Sequence, residues 1–359
     1  MYRMVSNELS ERKFSTIENR LFSWWCTLVF RPEGPRLGGG GNPLNLLMGG
    51  GGSGEMSGSM QGFLDCIRKV DQELLKTKGP WFFDEHDHPT MIDFVYVSHV
   101  ERMLASCAYW KGLNLRDPKW KLKGLNAWLD AFEKREPYLA FKSDYFTHVM
   151  DIPPQYGPGY DGGFEEDRKA FSRSIRGVGS AWRLPLPHDD DLQPLYRGPP
   201  LPLCVLESVG IQPDAVGSYQ SCDEKTMEKA CRVMAAWKLS GNGPNVAKFA
   251  SRGGPKGASN PRKTFGAPLA DPYAAADLNV QPSVDAALRV VCAALVAVDQ
   301  DEATFVDSLM AAVPPEHAAG VASSLAYLRD RVGVPRDLPL ASARYLRAYL
   351  SWGIDNLAP

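Results

Sequence analysis

Apolar residues recur at intervals of three and four positions through much of this chain, and that periodicity constrains the fold more than any other feature. Such spacing places the apolar side chains on one face of an α-helix. It predicts helices over about 16–30, 63–74, 91–109 and 119–135. Further along the chain, four more apolar stripes begin at Val284, Phe305, Val321 and Tyr345. The expected fold class is therefore all-α.

Tracts rich in glycine and proline divide the chain into four parts. Residues 1–62 contain the first helix and a Gly-rich tract over 37–60, which we expect to be a flexible insertion because glycine loses much entropy on ordering. Residues 63–157 predict a helical domain. Residues 158–280 are dense in Pro and Gly and predict irregular chain with one helix near 223–239. Residues 281–359 predict a second, small helical bundle.

Charge, hydropathy and cysteine usage exclude several classes of protein. The net charge is -2, so we expect no nucleic-acid partner. Apolar runs all fall short of the roughly 18 residues that a membrane-spanning helix needs, so we expect no transmembrane segment. The seven cysteines are scattered and form no CxxC pair. This usage indicates reduced thiols in an intracellular, reducing compartment.

A capping box opens the helix predicted over 91–109. Thr90 comes just before the apolar run, and Asp93 follows three residues later. The Thr90 hydroxyl can accept a hydrogen bond from the N–H of residue 93, while the Asp93 carboxylate accepts one from the N–H of Thr90. Ahead of the box lies a Gly79-Pro80 turn, followed by aromatic residues and a short acidic loop.

This order of features resembles the C-terminal all-helical domain of the glutathione S-transferase superfamily, whose core helix opens with a Ser/Thr-x-x-Asp box after a G-P-aromatic turn. Asp84 stands where that turn usually has a small residue. The helix LNAWLDAFEKREPYL (125–139), with its terminating Pro137, also matches the family pattern. The tract SDYFTHVMDIPPQYG (143–157) is similar to glutathione-transferase-like proteins of cyanobacteria, algae and plants that carry a C-terminal extension. The resemblance covers residues 63–157 and implies a protein of a photosynthetic organism.

The resemblance also implies what the chain lacks. Members of this family bind glutathione mainly through an N-terminal thioredoxin-like domain, which supplies a Ser, Tyr or Cys near the sulfur. The fifteen residues ahead of Thr16 are too few for such a domain. Glu207 and Ser208 match the Glu-Ser pair of that domain, which holds the γ-glutamyl end of glutathione. However, the sequence around them does not predict the strands that such a domain requires. We therefore assign no catalytic residue and no cofactor, and expect glutathione binding only if an upstream domain exists.

These expectations predict a glutathione-transferase-like protein that does not conjugate glutathione by itself. It would reside in the chloroplast or cytoplasm, with protein partners or as a homodimer. Two alternatives stay open. One is a non-catalytic structural or assembly subunit of a larger complex, for example in the chloroplast, with the Pro/Gly-rich middle and terminal bundle wrapped around it. The other is a truncated form of an active glutathione transferase.

One group of side chains is a candidate hydrophobic pocket, although core packing explains most of its members equally well. The group comprises Tyr96, His99, Met103, Tyr109 and Trp110.

Three polar clusters are weaker candidates. Residues 84–88 offer carboxylates and imidazoles, but consecutive residues seldom converge on one ion, so we predict a solvated loop and no metal site. The acidic run 188–191 predicts a solvated turn. The basic residues between 248 and 263 could contact an acidic partner, and a solvated loop is again the preferred interpretation.

Overall fold

The structure is a computed structural model that describes residues 2–32, 56–83, 87–177, 201–212, 223–257, 274–297 and 301–358, with side chains in the first helix from Arg12 onward. Within these ranges the regular secondary structure is helical throughout, which confirms the all-α class. Most of the predicted Gly-rich insertion, the acidic run 188–191 and residues 84–86 lie outside the described ranges.

The helices of the first half are Tyr2–Phe30 (α1), Gly58–Leu74 (α2), Met91–Lys111 (α3), Lys123–Glu133 (α4), Glu136–Phe141 (α5), Tyr145–Asp151 (α6), Pro153–Tyr156 (α7) and Glu165–Ile175 (α8). Those of the second half are Leu203–Ser208 (α9), Glu224–Ser240 (α10), Gly243–Ala250 (α11), Gln281–Val296 (α12), Glu302–Ala312 (α13), Ala318–Arg329 (α14) and Leu340–Leu357 (α15). Every helix predicted from an apolar stripe is present.

The chain forms two compact units. Unit 1 consists of Met1–Ala131 with Gln155–Ser172, and unit 2 consists of Phe132–Pro154 with Arg173–Pro359. These units do not coincide with the segments 63–157 and 281–359 that the sequence suggested. The difference arises because residues 132–154 form polar contacts with the C-terminal helices. Local sequence patterns do not predict such contacts.

Helix α2 begins earlier than its apolar stripe suggests. The stripe starts at Phe63, whereas the helix starts at Gly58, inside the tract predicted to be flexible. The cause is Ser57, an N-cap whose hydroxyl accepts a hydrogen bond from the N–H of Met60 at 3.3 Å. A capped first turn satisfies a backbone donor that the glycines alone would leave to water.

The Pro/Gly-rich middle is more helical than predicted, because α8, α9 and α11 accompany the expected α10. Helix α8 has little apolar character, and its described side chains are supported by pairs such as Lys169 with Glu165, whose charged atoms lie 2.9 Å apart. Helix α11 has Pro244 in its first turn, where a missing N–H costs nothing. The density of Pro and Gly over 158–280 predicted one helix, and the structure adds three more α-helices within the described residues.

The end of α12 is held by a buried arginine from α10. Arg232 is 7% exposed, and its Nε donates to the carbonyl of Leu295 at 3.1 Å. Its Nη2 donates to the carbonyl of Ala294 at 2.8 Å and to the Tyr349 hydroxyl at 2.9 Å. Carbonyls at a helix C-terminus have no intrahelical partner, so a cation there satisfies them and complements the helix dipole.

A second buried arginine fixes residues 143–147 in unit 2. The side chains of Arg347 and Asp144 are both fully buried, and their charged atoms lie 2.6 Å apart. Nη2 of Arg347 also donates to the Thr147 hydroxyl at 2.9 Å and to the carbonyl of Val332 at 2.6 Å. Burial alone would raise the pKa of the Asp144 carboxyl, but the charge of Arg347 and the hydrogen bonds to it outweigh burial and hold that pKa below its ordinary value.

Candidate functional site

The polar centre of unit 1 is the fully buried carboxylate of Asp93. Its Oδ2 accepts from the N–H and the hydroxyl of Thr90, both at 2.8 Å. Its Oδ1 accepts from the N–H of Phe82 at 3.2 Å and from the indole N–H of Trp128 at 2.9 Å. One side chain therefore joins the turn before α3, the start of α3 and the middle of α4. This network goes well beyond a helix cap, which engages only the first turn.

The five residues of the predicted hydrophobic pocket lie on α3 in unit 1. Met103 is 0% exposed and Tyr96 is 1% exposed, so both are packed within the unit. Trp110 is also buried, and the half-buried Tyr109 packs edge-on against it with ring centroids 4.9 Å apart. His99 is half-buried beside Glu18, with Nε2 and Oε1 3.1 Å apart.

Two titratable side chains of that set, Tyr96 and His99, make local contacts within unit 1. The Tyr96 hydroxyl donates to the carbonyl of Phe14 at 2.7 Å, and burial raises its pKa. Burial lowers the pKa of His99, although the neighbouring Glu18 opposes the shift. The Tyr96 hydroxyl is therefore engaged within the unit, whereas Nδ1 of His99 has no hydrogen-bond partner among the described residues.

Four thiols of the described residues have pKa values shifted away from the thiolate form. Burial raises the pKa of Cys26 and Cys66. It raises that of Cys107 to about 12 and that of Cys292 to about 11. A reactive cysteine needs a lowered pKa, since the thiolate is the nucleophile. Likewise, among the residues the structure describes, no cluster of His, Cys, Asp and Glu could hold a metal ion.

Unit 2 contains a cleft of about 670 Å³ formed by α10, α11, the end of α14 and the segment that leads into α15. Its apolar lining consists of Ala235, Leu239, Val246, Phe249, Leu328, Val332, Leu338 and Leu346. Its polar lining consists of Lys238, Asn242, Asn245, Arg331, Arg336 and Asp337. Small-molecule sites typically measure about 300–1,000 Å³ and combine an apolar wall with a few convergent polar groups. We name this feature the unit 2 cleft.

Arg331 is the most unusual side chain of the unit 2 cleft. Its guanidinium stacks on the ring of Tyr327, 3.5 Å from the centroid, and Nη1 donates to the Tyr327 carbonyl at 3.1 Å. Its Nε is buried and has no hydrogen-bond partner among the described residues. Burial lowers the pKa of Arg331 and outweighs the opposing effects of Tyr327 and Asp330. Asp330 itself forms an ion pair with Arg329 at 3.0 Å, so within the described residues the partly desolvated cation of Arg331 has no ion pair of its own.

The other charges of the unit 2 cleft differ in how well they are paired. Arg336 forms an ion pair with Asp337, with Nη2 and Oδ2 2.7 Å apart. The same carboxylate accepts from the N–H of Gly333 at 2.7 Å. Lys238 is exposed, and its ammonium lies 5.5 Å from the ring centroid of the adjacent Trp237. The one carboxylate in the lining is therefore already engaged, while Lys238 and Arg331 face the unit 2 cleft as cations.

No pattern in the sequence predicts this cleft. Of the basic group between 248 and 263, Arg252 lies over the ring of Phe249, 5.1 Å from its centroid, while residues 258–263 lie outside the described ranges. Glu207 and Ser208 end the short helix α9 and do not line the unit 2 cleft. The lining comes from two segments about ninety residues apart, so spacing along the chain carries no signal for it.

The comparisons with known proteins supply no relative: no family model, no curated protein and no solved structure matches this chain. Within the part that the structure describes, no helix has both the length and the apolar character that crossing a membrane requires.

Proposed function

We propose that this chain is a glutathione-transferase-like protein that binds a small organic ligand in the unit 2 cleft and does not conjugate glutathione by itself. The observation that carries the proposal is the unit 2 cleft, whose size and mixed lining suit a small molecule. The family part of the proposal is supported by the network around Asp93, which gives the capping box the buried setting expected of a core helix.

Two features support binding without conjugation. Conjugation requires a donor that stabilises the glutathione thiolate, and the buried Tyr96 hydroxyl already donates to a main-chain carbonyl. The four thiols with shifted pKa values are all shifted upward, away from the thiolate form. A cleft lined by leucine and valine side chains beside arginine can hold a ligand, and its one carboxylate among the described residues, Asp337, is already engaged by Arg336 and the N–H of Gly333.

The conjugation half of the proposal is tested with the purified chain, immobilised glutathione and the electrophile 1-chloro-2,4-dinitrobenzene. We expect no retention on the resin and no conjugation above the uncatalysed rate. An active glutathione transferase assayed in parallel shows that the resin and substrate work. Retention together with turnover would overturn this half and would favour the truncated-enzyme alternative.

The binding half is tested independently by fluorescence titration with small apolar dyes. We expect saturable binding that is lost when Asn245→Trp, an exposed position on the rim of the unit 2 cleft, fills the space. If no dye binds and the chain migrates only within a large complex, the structural-subunit alternative replaces this proposal.

A further inference from the structure

We infer that the ligand of the unit 2 cleft is an amphipathic organic anion, with its acidic group at Arg331 and Lys238 and its apolar body on the leucine and valine wall. This inference rests on the proposed binding function and specifies the chemical class of its ligand. It follows from the charge balance of the lining, the burial and unused donors of Arg331, and the apolar side chains of the lining.

The first argument is the charge balance of the lining. Three cations, Lys238, Arg331 and Arg336, stand against the single carboxylate of Asp337. That carboxylate is bound by Arg336 and by a backbone N–H. Two positive charges therefore face the unit 2 cleft without a carboxylate partner among the described residues. A cationic or uncharged polar ligand would leave these two positive charges without a counter-charge, whereas an anion pairs with them.

The second argument is the environment of Arg331. A guanidinium has five N–H donors, and among the described residues this one makes a hydrogen bond through Nη1 only. Tyr327 covers one face of it and limits access of water. Keeping a cation partly buried with unused donors is unfavourable. A carboxylate or phosphate in the unit 2 cleft would supply both the charge and the acceptors, and could bind the planar group in bidentate fashion.

The third argument is the apolar body. Leu239, Leu328 and Leu346 are buried side chains that expose their remaining surface to the unit 2 cleft, and Phe249 adds an aromatic edge. A sugar or another polyhydroxylated ligand would lose water from its hydroxyl groups here without gaining partners. An aliphatic or aromatic body gains by leaving water, at about 25 cal/mol per Å² of buried apolar area.

The test compares two fluorescent probes that share an aromatic body. 8-Anilinonaphthalene-1-sulfonate carries an anionic group, and N-phenyl-1-naphthylamine lacks it. We expect the anionic probe to bind the full chain about tenfold or more tightly than the neutral one, as a charge-assisted contact would give. In Arg331→Gln that preference should fall to about twofold or less, while Arg331→Lys should keep most of it.

The matched control is Arg289→Gln on α12. Arg289 is a largely exposed cation of the same unit, paired with Asp285 at 2.8 Å and absent from the lining. It should leave both affinities unchanged. Thermal unfolding of each variant confirms that any loss is not loss of fold. Competition with decanoate and with decyl phosphate then distinguishes a carboxylate ligand from a phosphate ligand.

Each outcome decides a separate point. Equal affinity for both probes, or a charge preference that survives in Arg331→Gln, would overturn the inference while leaving the binding function in place. Binding of the anionic probe that persists in Asn245→Trp would place it outside the unit 2 cleft and would also overturn the inference. Absence of binding by either probe would remove the proposed binding function itself.

Discussion

Replacing Arg347 with methionine is expected to lower the free energy of unfolding of unit 2 by about 3–5 kcal/mol. Methionine fills much of the volume but leaves the carboxylate of Asp144 as a buried charge without its cation. It also removes the donors to Thr147 and to the carbonyl of Val332. Urea unfolding followed by circular dichroism measures the loss. Arg289→Met, at an exposed position, is the matched control and should cost well under 1 kcal/mol.

The pH dependence of that loss identifies its cause. In the wild type the pKa of Asp144 is lowered, so its contribution to stability is complete above the ordinary value of 3.8 and disappears only as the pH falls through the folded-state pKa. Without Arg347, burial dominates and raises that pKa, so the variant loses stability as the pH rises. The difference between variant and wild type should therefore be smaller near about pH 4 than near about pH 7. A difference that is the same at both values would contradict the charge explanation.

Replacing Asp93 with alanine is expected to destabilise unit 1 by on the order of 3 kcal/mol, several times the cost of an ordinary lost cap. The substitution leaves the N–H groups of Phe82 and Thr90 and the indole N–H of Trp128 without their acceptor. Since Asp93 is fully buried, water cannot replace it without opening the interior. Thr90→Ala should cost only about 1 kcal/mol, because it removes the contacts of the cap hydroxyl and keeps the carboxylate that serves the buried donors.

Asp87→Ala is the control for this comparison, since Asp87 is an exposed aspartate in the loop before α3. Denaturant unfolding monitored by far-ultraviolet circular dichroism should rank the variants with Asp93→Ala lowest, Thr90→Ala next and Asp87→Ala close to wild type. If Asp93→Ala unfolds at the same denaturant concentration as Asp87→Ala, the carboxylate does not organise the unit.

The helices that the sequence predicted are those whose apolar stripes face a core. Val284, Leu288, Val291 and Leu295 mark such a stripe, and all four are buried on α12. Periodicity works there because burial on one side of a helix is a local property of the sequence. It fails for α8, whose described residues include only Ile175 as a buried side chain and whose stability therefore owes little to an apolar face.

Helix α15 shows a second limit of prediction from apolar periodicity. Its apolar stripe includes Tyr345, Leu346 and Tyr349, and these are buried as expected. Arg344 and Arg347 are also fully buried, although arginine ordinarily marks the solvent face. For Arg347 only the fold supplies the partner that makes this possible, since Asp144 lies 203 positions away in the sequence. Local sequence does not predict the unit 2 cleft either, because in the sequence Lys238 and Arg331 look like any solvated lysine and arginine.

The distance along the chain between Asp144 and Arg347 also bears on how the protein is made. A ribosome adds about 5–20 residues per second, so on the order of ten seconds or more separates the emergence of the two side chains. During that interval residues 132–154 have been synthesised, but α15, whose Arg347 pairs with Asp144, has not. The residues of unit 1 all precede position 173, whereas unit 2 includes α15 at the C-terminal end of this sequence. The ion pair between Asp144 and Arg347 can therefore form only after α15 has left the ribosome.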